Sequence, residues 1–229
     1  MYSRRQDNNN FEIITVWVDD FLLFATSDEL MERMKTDINS EWEVTDLDEP
    51  KKIVSIKIAR GDGYVTISQQ RYIETILERE GLLYANTVAM PMDPNIMLEP
   101  IADCREGNRS NSYASLLGEL QFIANATRPD IAYAVNKLAS FTANPSLQHV
   151  STLKRVLRYL AGTKSYGITY SASQIKNRNT NLFHGYVDTT YVNSNNYKST
   201  SGYVFIAAGG AITWMSKKQS VIAHSSTEA

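Results

Sequence analysis

Two apolar, β-rich runs open the pattern at Phe11–Ser27 (FEIITVWVDDFLLFATS), and they flank Asp19-Asp20. Such a pattern predicts a hairpin with both carboxylates at its tip. Ser27 is placed to cap a helix whose first turn holds Asp28 and Glu29, and Leu30, Met31, Met34, Ile38 and Trp42 make one apolar face. After the acidic stretch Glu43–Pro50, Lys52–Ala59 reads as a strand, Arg60–Gly63 as a turn and Tyr64–Ser68 as the returning strand. Ser68 is placed to cap a helix with Tyr72, Ile73, Ile76 and Leu77 inward. Three prolines and many polar residues mark 86–111 as a linker.

Three amphipathic helices are predicted next. The first buries Tyr113, Leu116, Leu117, Leu120, Ile123 and Ala124; the second starts at Pro129 and buries Ile131, Val135 and Leu138. Ser146 caps the third, which buries Val150, Leu153, Leu157 and Leu160, with Gly162 as its stop. The pattern then changes to strands: Ile168–Ser171, Leu182–Asp188, Gly202–Ala208 and Ala211–Ser216, the last pair joined at Gly209-Gly210. The last three are expected to form an antiparallel meander. Residues 225–229 (SSTEA) read as a helix start.

Composition narrows the classes. At 229 residues and 43% hydrophobic the chain can bury a core. No run approaches a membrane span, and residues 1–10 lack a signal-peptide core, which argues against secretion. One cysteine, Cys104, excludes an intrachain disulfide, and His149, His184 and His224 lack zinc-site spacing. Residues 1–104 hold 10 Lys and Arg against 20 Asp and Glu, whereas residues 105–229 hold 13 against 5. An acidic half beside a basic half suggests two surfaces with different partners, or merely solvated helices.

Asp19 and Asp20 offer hard oxygen ligands of the kind that suit Mg²⁺ beside substrate phosphates, although adjacent aspartates also make solvated turns. Asp188, closing an apolar strand, is either a metal ligand or the start of an Asx turn. Glu228, three residues after Ser225, fits a capping box. Lys154, Arg155 and Arg158 lie on one side of the third helix and either meet nucleic-acid phosphates or face solvent.

Together these strings resemble copia-type reverse transcriptases of LTR retrotransposon polyproteins. Val16–Phe24 (VWVDDFLLF) resembles the Tyr-Val-Asp-Asp hairpin of that family, with Trp17 in place of tyrosine. Residues 51–60 and 64–72 resemble the hairpin that grips the primer end, with Ser55 where glycine is usual. YASLLGEL, TRPDIAYAV and RVLRYLAGT resemble thumb and connection helices; KSTSGYV, AITWMSKKQ and SSTEA resemble the ribonuclease H region.

The resemblance implies an α+β fold: a partial palm over 1–85, a linker over 86–111, thumb and connection helices over 112–164, and a truncated ribonuclease H-like β-meander over 165–229. It implies RNA-directed DNA synthesis with RNA-strand cleavage in the parent polyprotein. Asp19 and Asp20 would hold catalytic Mg²⁺ (or Mn²⁺) in the polymerase site. Asp188 would be the first ribonuclease H carboxylate and Glu228 a further catalytic carboxylate. The implied partners are an RNA template, a DNA primer, an RNA–DNA hybrid and the missing polyprotein segments; the implied compartment is intracellular, a cytoplasmic particle or the nucleus.

The first polymerase Asp lies upstream of this hairpin in the family, and further ribonuclease H carboxylates lie downstream. An isolated chain is therefore expected to be inactive. A non-catalytic nucleic-acid-binding remnant is the competing expectation; a metal-dependent nuclease centred on Asp188 is a third.

Overall fold

The Asp-Asp hairpin forms. In the computed structural model, which describes residues 1–5, 10–100, 107–176, 183–190, 198–222 and 225, β2 (Phe11–Trp17) and β3 (Asp20–Ala25) pair antiparallel through a two-residue turn, Val18-Asp19. A strand not anticipated from the sequence, β1 (Tyr2–Arg5), pairs with β2 and completes a three-stranded sheet. Helix α1 (Asp28–Glu41) starts where Ser27 accepts from the Leu30 amide; it buries Leu30, Met34 and Ile38, while Trp42 stays exposed. Glu12 is buried and its carboxylate meets Arg33 of α1 at 2.5 Å. A buried carboxylate of this kind requires such a partner.

The expected strand Lys52–Ala59 is instead folded back on itself. Lys52–Ile53 (β4) and Ile56–Gly61 (β5) pair antiparallel through Val54-Ser55, both in the left-handed region (φ 44° and 63°). That conformation favours glycine, the residue that the resemblance leads one to expect where Ser55 stands. β5 pairs with β6 (Tyr64–Ser68). Ser68 belongs to that strand and does not cap α2 (Gln70–Arg79). Buried Gln69 precedes the helix, and its Oε1 accepts from the Thr127 hydroxyl at 2.8 Å.

Helices α3 (Gly107–Ala126), α4 (Ala132–Ala139) and α5 (Leu147–Thr163) follow, and a 3-10 turn, Pro129–Ile131, leads into α4. Ile73, Ile76 and Leu77 of α2 join Leu117, Leu120, Ile123, Val135, Leu138, Val156 and Leu157 in one apolar core, as the periodicity predicted. Ser146 caps α5, and His149 returns the bond: its backbone N–H donates to the Ser146 hydroxyl, and its Nδ1 accepts from the Ser146 amide at 2.9 Å. Gly162 does not stop α5, which runs on to Thr163. A Cβ there would approach the Thr87 side chain to 3.0 Å, so close packing is what requires the glycine.

β7 (Gly167–Ser171) joins β6, giving the order β4-β5-β6-β7, and a short helix α6 (Ala172–Lys176) follows it. The remaining strands, β8 (Phe183–Thr190), β9 (Thr200–Ala207) and β10 (Gly210–Lys218), form the expected antiparallel meander. Its β9–β10 turn is Ala208-Gly209, one residue earlier than expected. Gly210 begins β10, where a Cβ would press on the Tyr170 ring.

The chain divides into two compact units, Met1–Lys51 and Lys52–Ala229. The divisions expected at 85/86 and 164/165 are not unit boundaries. β7 completes the sheet of the second hairpin, and the Trp214 indole of β10 donates to the Ala124 carbonyl of α3 at 2.7 Å. These bonds tie segments far apart in sequence into one body. The architecture mixes helix and sheet as the α+β expectation has it, and among the described residues no helix is long and apolar enough to cross a membrane.

Candidate functional site

Cross-strand pairing creates the tip of the first hairpin. Trp17 pairs with Asp20, so only Val18 and Asp19 make the turn. Both carboxylates are exposed there, and Val18 is held at φ 54°. A β-branched residue in the left-handed region is a true outlier, of the kind that clusters at functional turns. Adjacent exposed carboxylates repel each other unless a cation lies between them, and hard oxygens suit Mg²⁺, which typically takes one or two carboxylates and fills its shell with phosphate and water. The donor set at this tip fits that ion. Among the described residues no cluster of three or more His, Cys, Asp or Glu is poised for a metal; on their own Asp19 and Asp20 would supply two carboxylates to such an ion.

Asp188 lies on β8 opposite Gly202, exposed, with its Oδ1 accepting from the Thr189 amide at 2.9 Å. The structure assembles no carboxylate cluster around it among the described residues. Glu228, His224 and Cys104 lie outside the described residues. On α5, Lys154 is exposed, whereas Arg155 and Arg158 are half-buried. Arg158 Nε donates to the Asn86 carbonyl at 2.6 Å, so part of this basic face is spent on holding the preceding segment.

Arg128 is the residue whose weight the periodicity did not reveal. It is 1% exposed. Its Nε and Nη2 fork onto Asp130 at 2.8 and 2.7 Å, Nη1 donates to the Thr163 carbonyl at 2.9 Å, and Nη2 also reaches the Thr163 hydroxyl. The Tyr159 and Tyr166 rings lie 5.6 and 5.4 Å from the guanidinium carbon. Tyr159 also donates to Asp130 at 2.8 Å. Burial alone would push the Asp130 carboxyl up, but Arg128 and the Tyr159 hydroxyl hold it below its ordinary value. This node joins the start of the 3-10 turn to the C-terminus of α5. The signal was present in the Arg-Pro-Asp string: an Arg and an Asp around a helix-starting proline are placed to bond each other.

A family described as Reverse transcriptase (RNA-dependent DNA polymerase) matches residues 1–94, which include the Asp-Asp hairpin and the second hairpin. The chain is 34% identical, over its whole length, to the Retrovirus-related Pol polyprotein from transposon TNT 1-94 of Nicotiana tabacum, and covers 17% of that polyprotein. It is also 34% identical to the polyprotein from transposon RE1 of Arabidopsis thaliana, with 98% of this chain and 15% of that one aligned. The Putative transposon Ty5-1 protein YCL074W of Saccharomyces cerevisiae is 33% identical across 94% of this chain and 69% of its own. No solved structure matches the chain. With the carboxylate hairpin lying inside the matched segment and the similarity continuing across the whole length, the chain belongs to the copia-type reverse transcriptase family of retrotransposon Pol polyproteins.

Proposed function

We propose that this chain is the part of a copia-type Pol polyprotein that brings two metal-binding carboxylates, Asp19 and Asp20, to an RNA-directed DNA polymerase site. The observation that carries this reading is the exposed pair at a two-residue turn, inside the segment that matches the reverse transcriptase family. Bound Mg²⁺ would polarise phosphoryl oxygens and stabilise the charge that develops on them. The hairpin's own contribution is positional: pairing Trp17 with Asp20 leaves both aspartates exposed at one tip. On this reading the first unit is palm-like, α3–α5 serve as thumb and connection, and β8–β10 are the opening strands of a ribonuclease H-like sheet with Asp188 as its carboxylate. Glu228 would be a further catalytic carboxylate of that region. The partners are a template–primer and an RNA–DNA hybrid, with exposed Lys154 among the groups that meet phosphate.

Because no third ligand joins Asp19 and Asp20 among the described residues, residues 1–229 alone are expected not to extend a primer. The test places residues 11–229 in a relative's polyprotein, in place of the matching segment, and measures primer extension with Mg²⁺. Asp19→Asn and Asp20→Asn should each lower the rate by several powers of ten, as for a ligand whose work is done in the transition state. Extension that survives both substitutions would refute the assignment. Duplex binding by residues 1–229 combined with extension indifferent to both aspartates would favour the non-catalytic binding remnant.

A further inference from the structure

A cleft of about 580 Å³ opens in the second unit, between the 90–100 segment, α4 and the ends of β9 and β10. Lys137 comes from α4, Lys198 from the residues leading into β9 and Lys218 from the end of β10, all half-buried. Thr200 and Lys218 are directly paired across the two strands, and both line that wall. Tyr133, one helical turn before Lys137, lines the same cleft and is 41% exposed. None of the three lysines makes a side-chain hydrogen bond or ion pair with a described residue.

Three carboxylates also line the cleft. Asp130 is held by Arg128, Asp93 accepts from the Asn95 amide, and Glu99 is exposed. Like charges gathered in a recess repel one another and favour an anion between them.

We infer that this cleft binds a single-stranded nucleic-acid segment, with its phosphates on Lys137, Lys198 and Lys218 and a base against Tyr133. The choice of nucleic acid rests on the polymerase reading above; the choice of a single strand rests on the aromatic face among the cations, since stacking needs an unpaired base. Burial, and then the charge of Lys218, hold the Lys137 ammonium below its ordinary pKa. An arriving phosphate would offset both effects.

The test is binding of a fluorescent oligothymidylate to the full chain, followed by anisotropy across a salt series. In the Lys137→Met, Lys198→Met, Lys218→Met triple variant, the slope of log affinity against log salt should flatten by about 0.7 for each phosphate that is no longer neutralised. Tyr133→Ala should weaken binding roughly tenfold without changing the slope. Methionine keeps the aliphatic stem and removes the mutual repulsion, so the triple variant should unfold at no lower urea concentration than the parent. Unchanged affinity and slope in the triple variant would overturn the proposal. So would an RNA–DNA duplex that competes as well as the single strand, or protection by inorganic pyrophosphate with no oligonucleotide binding. Primer extension in the chimera reads Asp19 and Asp20 alone, so either proposal can fail without the other.

Discussion

The hairpin that carries the carboxylates and the helical core are built on opposite principles. Val16, Trp17, Val18, Phe21 and Phe24 of the first hairpin are all exposed, and the strands are held by backbone pairing along their whole length. In the helices, Leu77, Leu120, Ile123, Val135, Val156 and Leu157 are removed from solvent altogether. Among the described residues each unit also buries one charge, with the roles reversed: a carboxylate, Glu12, answered by a more exposed Arg33 in the first unit, and a guanidinium, Arg128, answered by a more exposed Asp130 in the second. On the proposed reading, stability and chemistry are therefore largely separable along this chain. Substitutions at the tip should alter what the protein does, and substitutions in the helices should alter whether it folds.

The sharpest way to break that separation is Asp130→Ala, which strands a fully buried guanidinium. It should cost about 3–5 kcal/mol, read as a shift in the urea midpoint at unchanged slope. A cost below about 1 kcal/mol would show that Thr163 and the two tyrosine rings suffice to hold Arg128. Next in size is Leu120→Ala, which leaves a cavity in the helical core and should cost about 2–5 kcal/mol. The matched substitution Phe24→Ala, on the exposed side of the hairpin, should cost less than about 1 kcal/mol. Equal costs would mean that the hairpin is stabilised by side-chain packing after all.

These contrasts also explain what was legible in advance. Element types followed from periodicity because Ile73, Ile76 and Leu77, or Leu153 and Leu157, each repeat on a face that is in fact buried. The caps Ser27 and Ser146 were legible because capping is local, three residues to the acceptor's donor. What escaped was long-range or conformational. The bend at Val54-Ser55 lies inside a run of strand-forming residues, so composition concealed it. The pairing of β6 with β7 joins Tyr64 to Ser171, a separation that no local pattern encodes, and it is why the unit boundary fell at Lys51 and not at 85. Gly162 looked like a helix stop because glycine usually is one; its neighbour Thr87 lies far away in sequence. The aspartate pair was legible as the tip of a hairpin, yet the strain at Val18 was not, since nothing in the string Trp-Val-Asp-Asp announces a left-handed valine.

A pH titration tests the helical half further. His149 is buried, stacked on Phe141 with ring centres 4.0 Å apart, and its Nδ1 accepts the Ser146 amide. Burial holds its pKa below the ordinary 6.5, despite the opposing pull of the Glu99 backbone on the charged form. A depressed folded value means that the unfolded chain takes up the proton first. The contribution is complete above pH 6.5 and is lost as pH falls through the folded value. Each unit of depression corresponds to about 1.4 kcal/mol. Urea midpoints measured from pH 7.5 downward (about 7.5 to 5 brackets the ordinary histidine value) should fall, and His149→Gln should flatten that fall. A parallel decline in the variant would assign it to other groups.

The smallest effect is the most direct comparison of the two hairpins. Both turn through a non-glycine residue in the left-handed region, Val18 at φ 54° and Ser55 at φ 63°. Holding an L-residue there costs roughly 1–2 kcal/mol, and glycine removes that cost while adding about 0.5–1 kcal/mol of unfolded-state entropy. Val18→Gly and Ser55→Gly should therefore each stabilise the chain slightly, by up to about 1 kcal/mol. Their functional consequences should differ. Ser55→Gly relaxes a turn that bears no candidate metal ligand, and the chimeric polyprotein should extend a primer as before. Val18→Gly relaxes the turn that aims Asp19 and Asp20; a looser tip spends time away from the geometry in which both carboxylates face the same ion, so extension should slow even as the fold gains stability. If Val18→Gly leaves extension untouched, the strain is incidental to the turn, and pairing Trp17 with Asp20 is by itself enough to position the carboxylates.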